Sequence, residues 1–161
     1  METSWESDLA TLLTDLLAVQ DELLGTLTRK RQLLVDADAD GLTAIGRQEE
    51  RLIGSLQECL RRREELLARA TQEGLPSASI RALSRALPRA GRGELDERVA
   101  LAASRARLLK HHSFTNWVLT QRTLIHLSQM LEIIATGGRL QPTYGEGELV
   151  GARGALVDGA A

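Results

Sequence analysis

The side chains best able to do chemistry in this chain are three histidines, one cysteine and a scattering of carboxylates. His112 and His126 lie fourteen residues apart, roughly four helical turns, too far to share a metal ion. His111 and His112 are adjacent, so on a helix they point about 100° apart. Neither has a ligand one turn further on, because positions 115 and 116 are Thr115 and Asn116. They read as partly exposed helix histidines. Cys59 is alone, sits on an apolar helical stripe and reads as a buried thiol. The acids Asp36, Asp38 and Asp40 before Gly41 have the spacing that begins an EF-hand loop. The twelfth loop position is Arg47, where calcium needs a carboxylate, so that reading fails. No GxSxG, Walker A or HExxH pattern occurs. The tail glycines follow no strand and open no helix, so they form no phosphate loop. The sequence therefore predicts a protein that binds, with no catalytic, cofactor or metal site.

The elements that position these residues are helical. Apolar residues make up 43% of the 161-residue chain and aromatics only 2%, so the core must be aliphatic. Leu, Ala, Glu and Arg in abundance favour helix by propensity alone. From Trp5 to Val35, residues Leu9, Leu12, Leu16, Val19, Leu23 and Leu27 recur at threes and fours. Leu13, Leu17 and Leu24 widen that seam into a bundle face. Thr3 and Glu6 have capping-box spacing. A break at Asp36–Gly41 supplies turn residues, with Asp40 as the expected N-cap. A second helix, Leu42 to Ala70, carries its own stripe through Ile45, Leu52, Leu56, Cys59 and Leu66. Its exposed charges can pair at i,i+4, as Glu58 with Arg62. Gly74 and Pro76 end it.

Ser77 to Leu87 predicts a short helix in the connection. A third long helix starts near Glu94, whose first turn is acidic, and meets no Gly or Pro before Gly137. At 1.5 Å per residue it spans roughly 60 Å if unbroken. Its first half is Ala-rich (Ala100, Ala102, Ala103, Ala106), which permits close packing. Its second half carries apolar residues on more than one face, which calls for two sets of partners. Arg139 to Ala161 has five glycines and no period, and reads as flexible. The fold expected is all-α: an antiparallel bundle of three long helices, an N-terminal hairpin plus one long C-terminal helix. A short extra helix lies in the middle connection, residues 1–136 form the bundle and residues 137–161 a Gly-rich tail.

Charge narrows the partners. The formal net charge is −2, so no global field draws the chain to nucleic acid or to an anionic membrane. Residues 1–28 hold six acids and no base, whereas residues 51–92 hold nine arginines against four glutamates. Oppositely charged neighbouring helices account for that, and a salt-sensitive nucleic-acid patch is the sharper alternative. No apolar run approaches the roughly 20 residues of a membrane span, and the acidic first turn is unlike a signal peptide. A cytoplasmic location is expected. Asn116 falls beside the packing seam of the third helix. It is either a surface residue or a buried amide that fixes register.

Two segments carry a resemblance. His112-Ser-Phe-Thr-Asn-Trp-Val-Leu-Thr-Gln-Arg122 and Pro142-Thr-Tyr-Gly-Glu-Gly147, behind a leucine-striped hairpin, resemble the FlgN-type flagellar type III export chaperones. The looser likeness covers residues 5–147. Ser113 departs from it, standing where the family commonly has a second asparagine. The resemblance implies a cytosolic chaperone for the hook-filament junction proteins FlgK and FlgL. It would bind their C-terminal helical parts, prevent premature assembly and deliver them to the export gate protein FlhA. It maps the gate contact onto Tyr144, flanked by Gly145 and Gly147. The surplus apolar faces suit the cargo: Leu124, Leu127, Leu131 and Ile134, with Trp117, Val118 and Ile125 beside them. The same residues would alternatively complete the chain's own core. A homo-oligomeric coiled-coil scaffold is the rival reading, and a cargo-free homo-oligomer fits either.

Overall fold

The computed structural model describes residues 4–88 and 92–137. Four α-helices and no strands occur among them: α1 (Ser4–Val35), α2 (Ala39–Gln72), α3 (Ile80–Ala86) and α4 (Arg92–Thr136). The all-α reading is correct, and the short connecting helix is present. The chain divides into two compact units, Met1–Leu124 and Ile125–Ala161, so the division falls inside α4.

In the first unit α1 is the shared partner. Its seam buries Leu9, Leu12, Leu13, Leu23 and Leu27. Arg69 of α2 pairs with Asp8 and Arg62 pairs with Asp15, so α2 runs antiparallel to α1. Side chains link α1 to α4 at Thr14–Arg98, Gln20–Ala102 and Leu27–Asn116, numbers that ascend together. α4 is therefore parallel to α1, as an up-down-up order of three long helices requires. The acids of α1 face arginines of both neighbours, since Asp21 pairs with Arg105 of α4. One core cluster joins Leu9, Leu12 and Leu13 to Cys59 and Ala70 of α2 and to Leu95 and Ala102 of α4. Ile80, Leu83 and Leu87 of the α3 region plug into that cluster. Ser79 starts α3 by accepting the Ala82 N–H.

The turns correct two details. α2 begins at Ala39, and its N-cap is Asp38, not Asp40: the Asp38 carboxylate accepts the Gly41 N–H at 2.9 Å. Gly41 is therefore helical. A Cβ there would lie 2.4 Å from Asp38 Oδ2 and 2.7 Å from Leu33 Cδ2, so those two side chains would have to shift to admit any other residue. The expected Glu58–Arg62 pair does not form. Arg62 reaches across to Asp15, and Glu58 pairs with Arg61. α2 ends in a Schellman motif, with Leu75 N–H on Ala70 O, Gly74 N–H on Thr71 O and Gly74 at φ +73°. α1 ends the same way, but its left-handed residue is Ala37, at φ 53°. Thr3 lies outside the described residues.

Candidate functional site

α4 is one helix through Ser113 to Thr136, stopped at Gly137 with φ +61°. Phe114 and Trp117 stack at 5.9 Å between ring centroids, and both rings are largely in solvent. Val118 is half-buried and Leu124 exposed. In the second unit the described residues are the last turns of α4. There Ile125, Leu127, Met130, Leu131, Ile133 and Ile134 are all exposed, with Leu131 at 66% and Ile134 at 73%. Leu127, Leu131 and Ile134 follow an i, i+4, i+7 row, while Met130 and Ile133 fall on another. Burying one such side chain is worth about 1.5–3 kcal/mol, so this many in water make an exposed apolar surface of unusual size.

Asn116 is set apart from these neighbours: it is buried, at 4% exposure. Its Nδ2 donates to Leu27 O of α1 at 2.8 Å, whereas Oδ1 has no partner. One turn earlier, an Arg31 N–H donates to Nδ1 of His112 at 2.8 Å, so that nitrogen must carry a lone pair. Burial, then the Arg31 charge and His111, hold the imidazole below its usual pKa, which favours the neutral ring. Arg105 donates to Leu17 O and Gln20 to Ala102 O. Side-chain donors aimed at backbone carbonyls thus fix the register of α4 on α1 along its length.

A groove of about 370 Å³ runs along the first unit. α1 forms its floor with Leu12, Leu13, Leu16 and Gln20. Leu56, Cys59, Leu60 and Arg63 make the α2 wall, and Val99, Ala102, Ala103, Ala106 and Leu109 the α4 wall. Burial pushes the Cys59 thiol above its ordinary pKa, against the opposing pull of Arg62. Among the described residues, no group of His, Cys, Asp and Glu has the arrangement to hold a metal ion. No helix among them is long and apolar enough to cross a membrane.

A family model described as FlgN protein matches residues 1–148. The chain belongs to the FlgN family. FlgN membership gives it a role as a flagellar export chaperone, in a family that is not enzymatic. No curated protein and no solved structure matches the chain. The FlgN match reaches past α4 to include Tyr144, Gly145 and Gly147, which lie outside the described residues. Within the described part, sequence reasoning missed Phe114, whose stacking on Trp117 follows from their i,i+3 spacing. It also missed the groove. Its signal was the alanine row of α4, read only as a close-packing surface. In the fold Ala102 is buried, whereas Ala103 is half-buried and Ala106 is exposed.

Proposed function

We propose that this FlgN-family chain binds the C-terminal helical region of FlgK- and FlgL-type junction subunits. It keeps them unassembled in the cytoplasm and hands them to the export gate protein FlhA. The observation that carries this is the exposure of Leu127, Leu131 and Ile134 on a helix that runs unbroken to Thr136. A junction subunit assembles through amphipathic terminal helices that aggregate when free, and an apolar helical surface covers such a helix. Trp117, Val118, Leu124 and Ile125 are the further residues assigned to the cargo. The aromatic pair Phe114–Trp117 supplies a rigid anchor of the kind that dominates binding energy.

Tyr144 serves the gate. A tyrosine followed by Gly145 and Gly147 offers a compact amphipathic anchor for an apolar pocket. A delivery step that ends in release requires only modest affinity. The test is co-purification of FlgK and FlgL with wild type and with Leu127→Asp/Leu131→Asp. Loss of capture by the double variant is expected. Undiminished capture places the cargo elsewhere, and a chain that forms a stable oligomer and captures neither subunit is a scaffold. For the gate, Tyr144→Ala should weaken FlhA binding in titration calorimetry, and an unchanged affinity refutes that role.

A further inference from the structure

The groove between α2 and α4 has features that the chaperone reading does not use. Two facing walls, leucines on one and alanines on the other, stand over a leucine floor contributed by α1. Three helices so arranged lack the fourth that would close the layer. Ala102, Ala103 and Ala106 keep one wall low, which lets another helix approach to the 8–10 Å of close helix packing.

The polar groups around the groove say what kind of helix fits. Gln20 lines the floor at 3% exposure. Its amide N–H donates to Ala102 O at 3.1 Å, but Oε1 is buried with no partner. That oxygen has no surface toward the groove, and the bond to Ala102 O holds α1 against α4 beneath the floor. Arg63 lines the α2 wall. Arg107 and Lys110 continue the rows of Ala103 and Ala106 by one turn on α4. None of these three cations has an ion partner among the described residues. Glu64, one turn beyond Leu60, is the acid on the same rows. The surroundings are thus basic around an apolar trough.

We propose that this groove is a second docking surface, which takes an amphipathic helix of an exported subunit. That helix has an aliphatic stripe with acidic residues flanking it. The stripe fills the trough, and the acids face Arg63, Arg107 and Lys110. That the helix belongs to an exported subunit rests on the chaperone reading; the chemistry of the groove does not. A second copy of the chain is the poorer occupant. Its exposed helix, Trp117 to Thr136, carries Arg122 and a single acid, Glu132, and so brings little charge of the required sign.

The test uses the full chain and two labelled synthetic helices of roughly 20 residues. Both have a Leu/Ile stripe, and they differ only in Glu or Lys flanks. Binding is read by fluorescence anisotropy at low salt. The Glu-flanked peptide is expected to bind wild type roughly tenfold more tightly than the Lys-flanked one, three ion pairs being replaced by three repulsions. Ala106→Glu, at an exposed position that leaves the core intact, should weaken that binding at least tenfold. Arg107→Glu/Lys110→Glu should abolish or reverse the preference, and Leu127→Asp/Leu131→Asp should leave both affinities unchanged. Equal binding of the two peptides refutes the proposal. So does binding that survives both groove variants, or that is lost only in the Leu127/Leu131 variant. A stable dimer in light scattering that Ala106→Glu dissolves assigns the groove to a second copy instead, and also refutes it. If the chaperone reading alone is wrong, FlgK and FlgL fail to bind wild type while the peptide results stand.

Discussion

Replacing Asn116 by aspartate and, separately, by leucine reveals what a buried amide does in this bundle. The native amide makes one bond, Nδ2 to Leu27 O at 2.8 Å, and leaves Oδ1 buried without a partner. Leu27 O sits inside α1, where it also has its own helical donor. Asn116→Asp turns the donor into an oxygen facing that carbonyl and buries a carboxylate whose neighbouring cation, Arg31, is one turn away and already donates to His112. Losing the hydrogen bond costs about 1 kcal/mol. A buried charge offset only in part brings the total to about 3 kcal/mol at pH 7. Asn116→Leu loses the same bond but removes the orphan Oδ1, itself a cost of about 1–3 kcal/mol. The balance of those two terms runs from zero to about 2 kcal/mol of stabilisation. Urea unfolding followed by circular dichroism separates the cases. With m near 2 kcal/mol/M, the aspartate variant should lose about 1.5 M in midpoint and the leucine variant should hold its midpoint or gain up to about 1 M. The aspartate penalty should shrink as pH falls and the carboxyl takes up a proton. An aspartate variant within about 1 kcal/mol of wild type at pH 7 would falsify the burial argument.

Three further outcomes follow from local features. Ala37→Gly relieves a left-handed residue at the end of α1 and should raise stability by about 1 kcal/mol, visible as a higher melting temperature. No increase would mean that the Ala37 conformation is not held in solution. The fold favours neutral His112, so the unfolded chain takes up the proton first as pH falls below about 6.5. Stability should therefore decline between pH 7.5 and 5.5, and His112→Gln should flatten that decline; parallel melting curves for the two proteins would sink the idea. Cys59, buried and with its thiol pKa raised, should react slowly with a maleimide at pH 7 and quickly in denaturant. Equal rates would show that the thiol is open to solvent in the folded chain.

Much of the fold was legible because leucine spacing and helix stops are local signals. The α1 seam needed only the recurrence of threes and fours from Leu9 to Leu27, and Gly74 and Gly137 both appear as left-handed helix ends. Details that depend on a second element were not legible. Asp40 has the right chemistry for an N-cap, but Asp38 takes the position because the α1 terminus delivers it three residues before Gly41. Arg62 had a partner one turn away in sequence and chose Asp15 on another helix. For Asn116 the sequence left surface and core open, since the choice turns on which face of α4 meets α1. The groove was invisible for a related reason. An alanine row says that something approaches closely, but not whether the chain itself supplies it. Tyr144, Gly145 and Gly147 were readable only through the family resemblance, and nothing in the described residues adds to them.

The most direct test of the cargo surface is amide hydrogen exchange of the full chain, alone and saturated with the C-terminal helical segment of FlgK or FlgL. The exposed apolar stretch of α4 is held by its own helical bonds and little else, so free exchange there should be comparatively fast. Bound cargo should slow exchange most strongly across residues 117–134, with a smaller change in the α1–α2 hairpin. Saturation that leaves residues 117–134 as exchange-competent as in the free chain would contradict the assignment of α4 as the surface that holds the exported subunit.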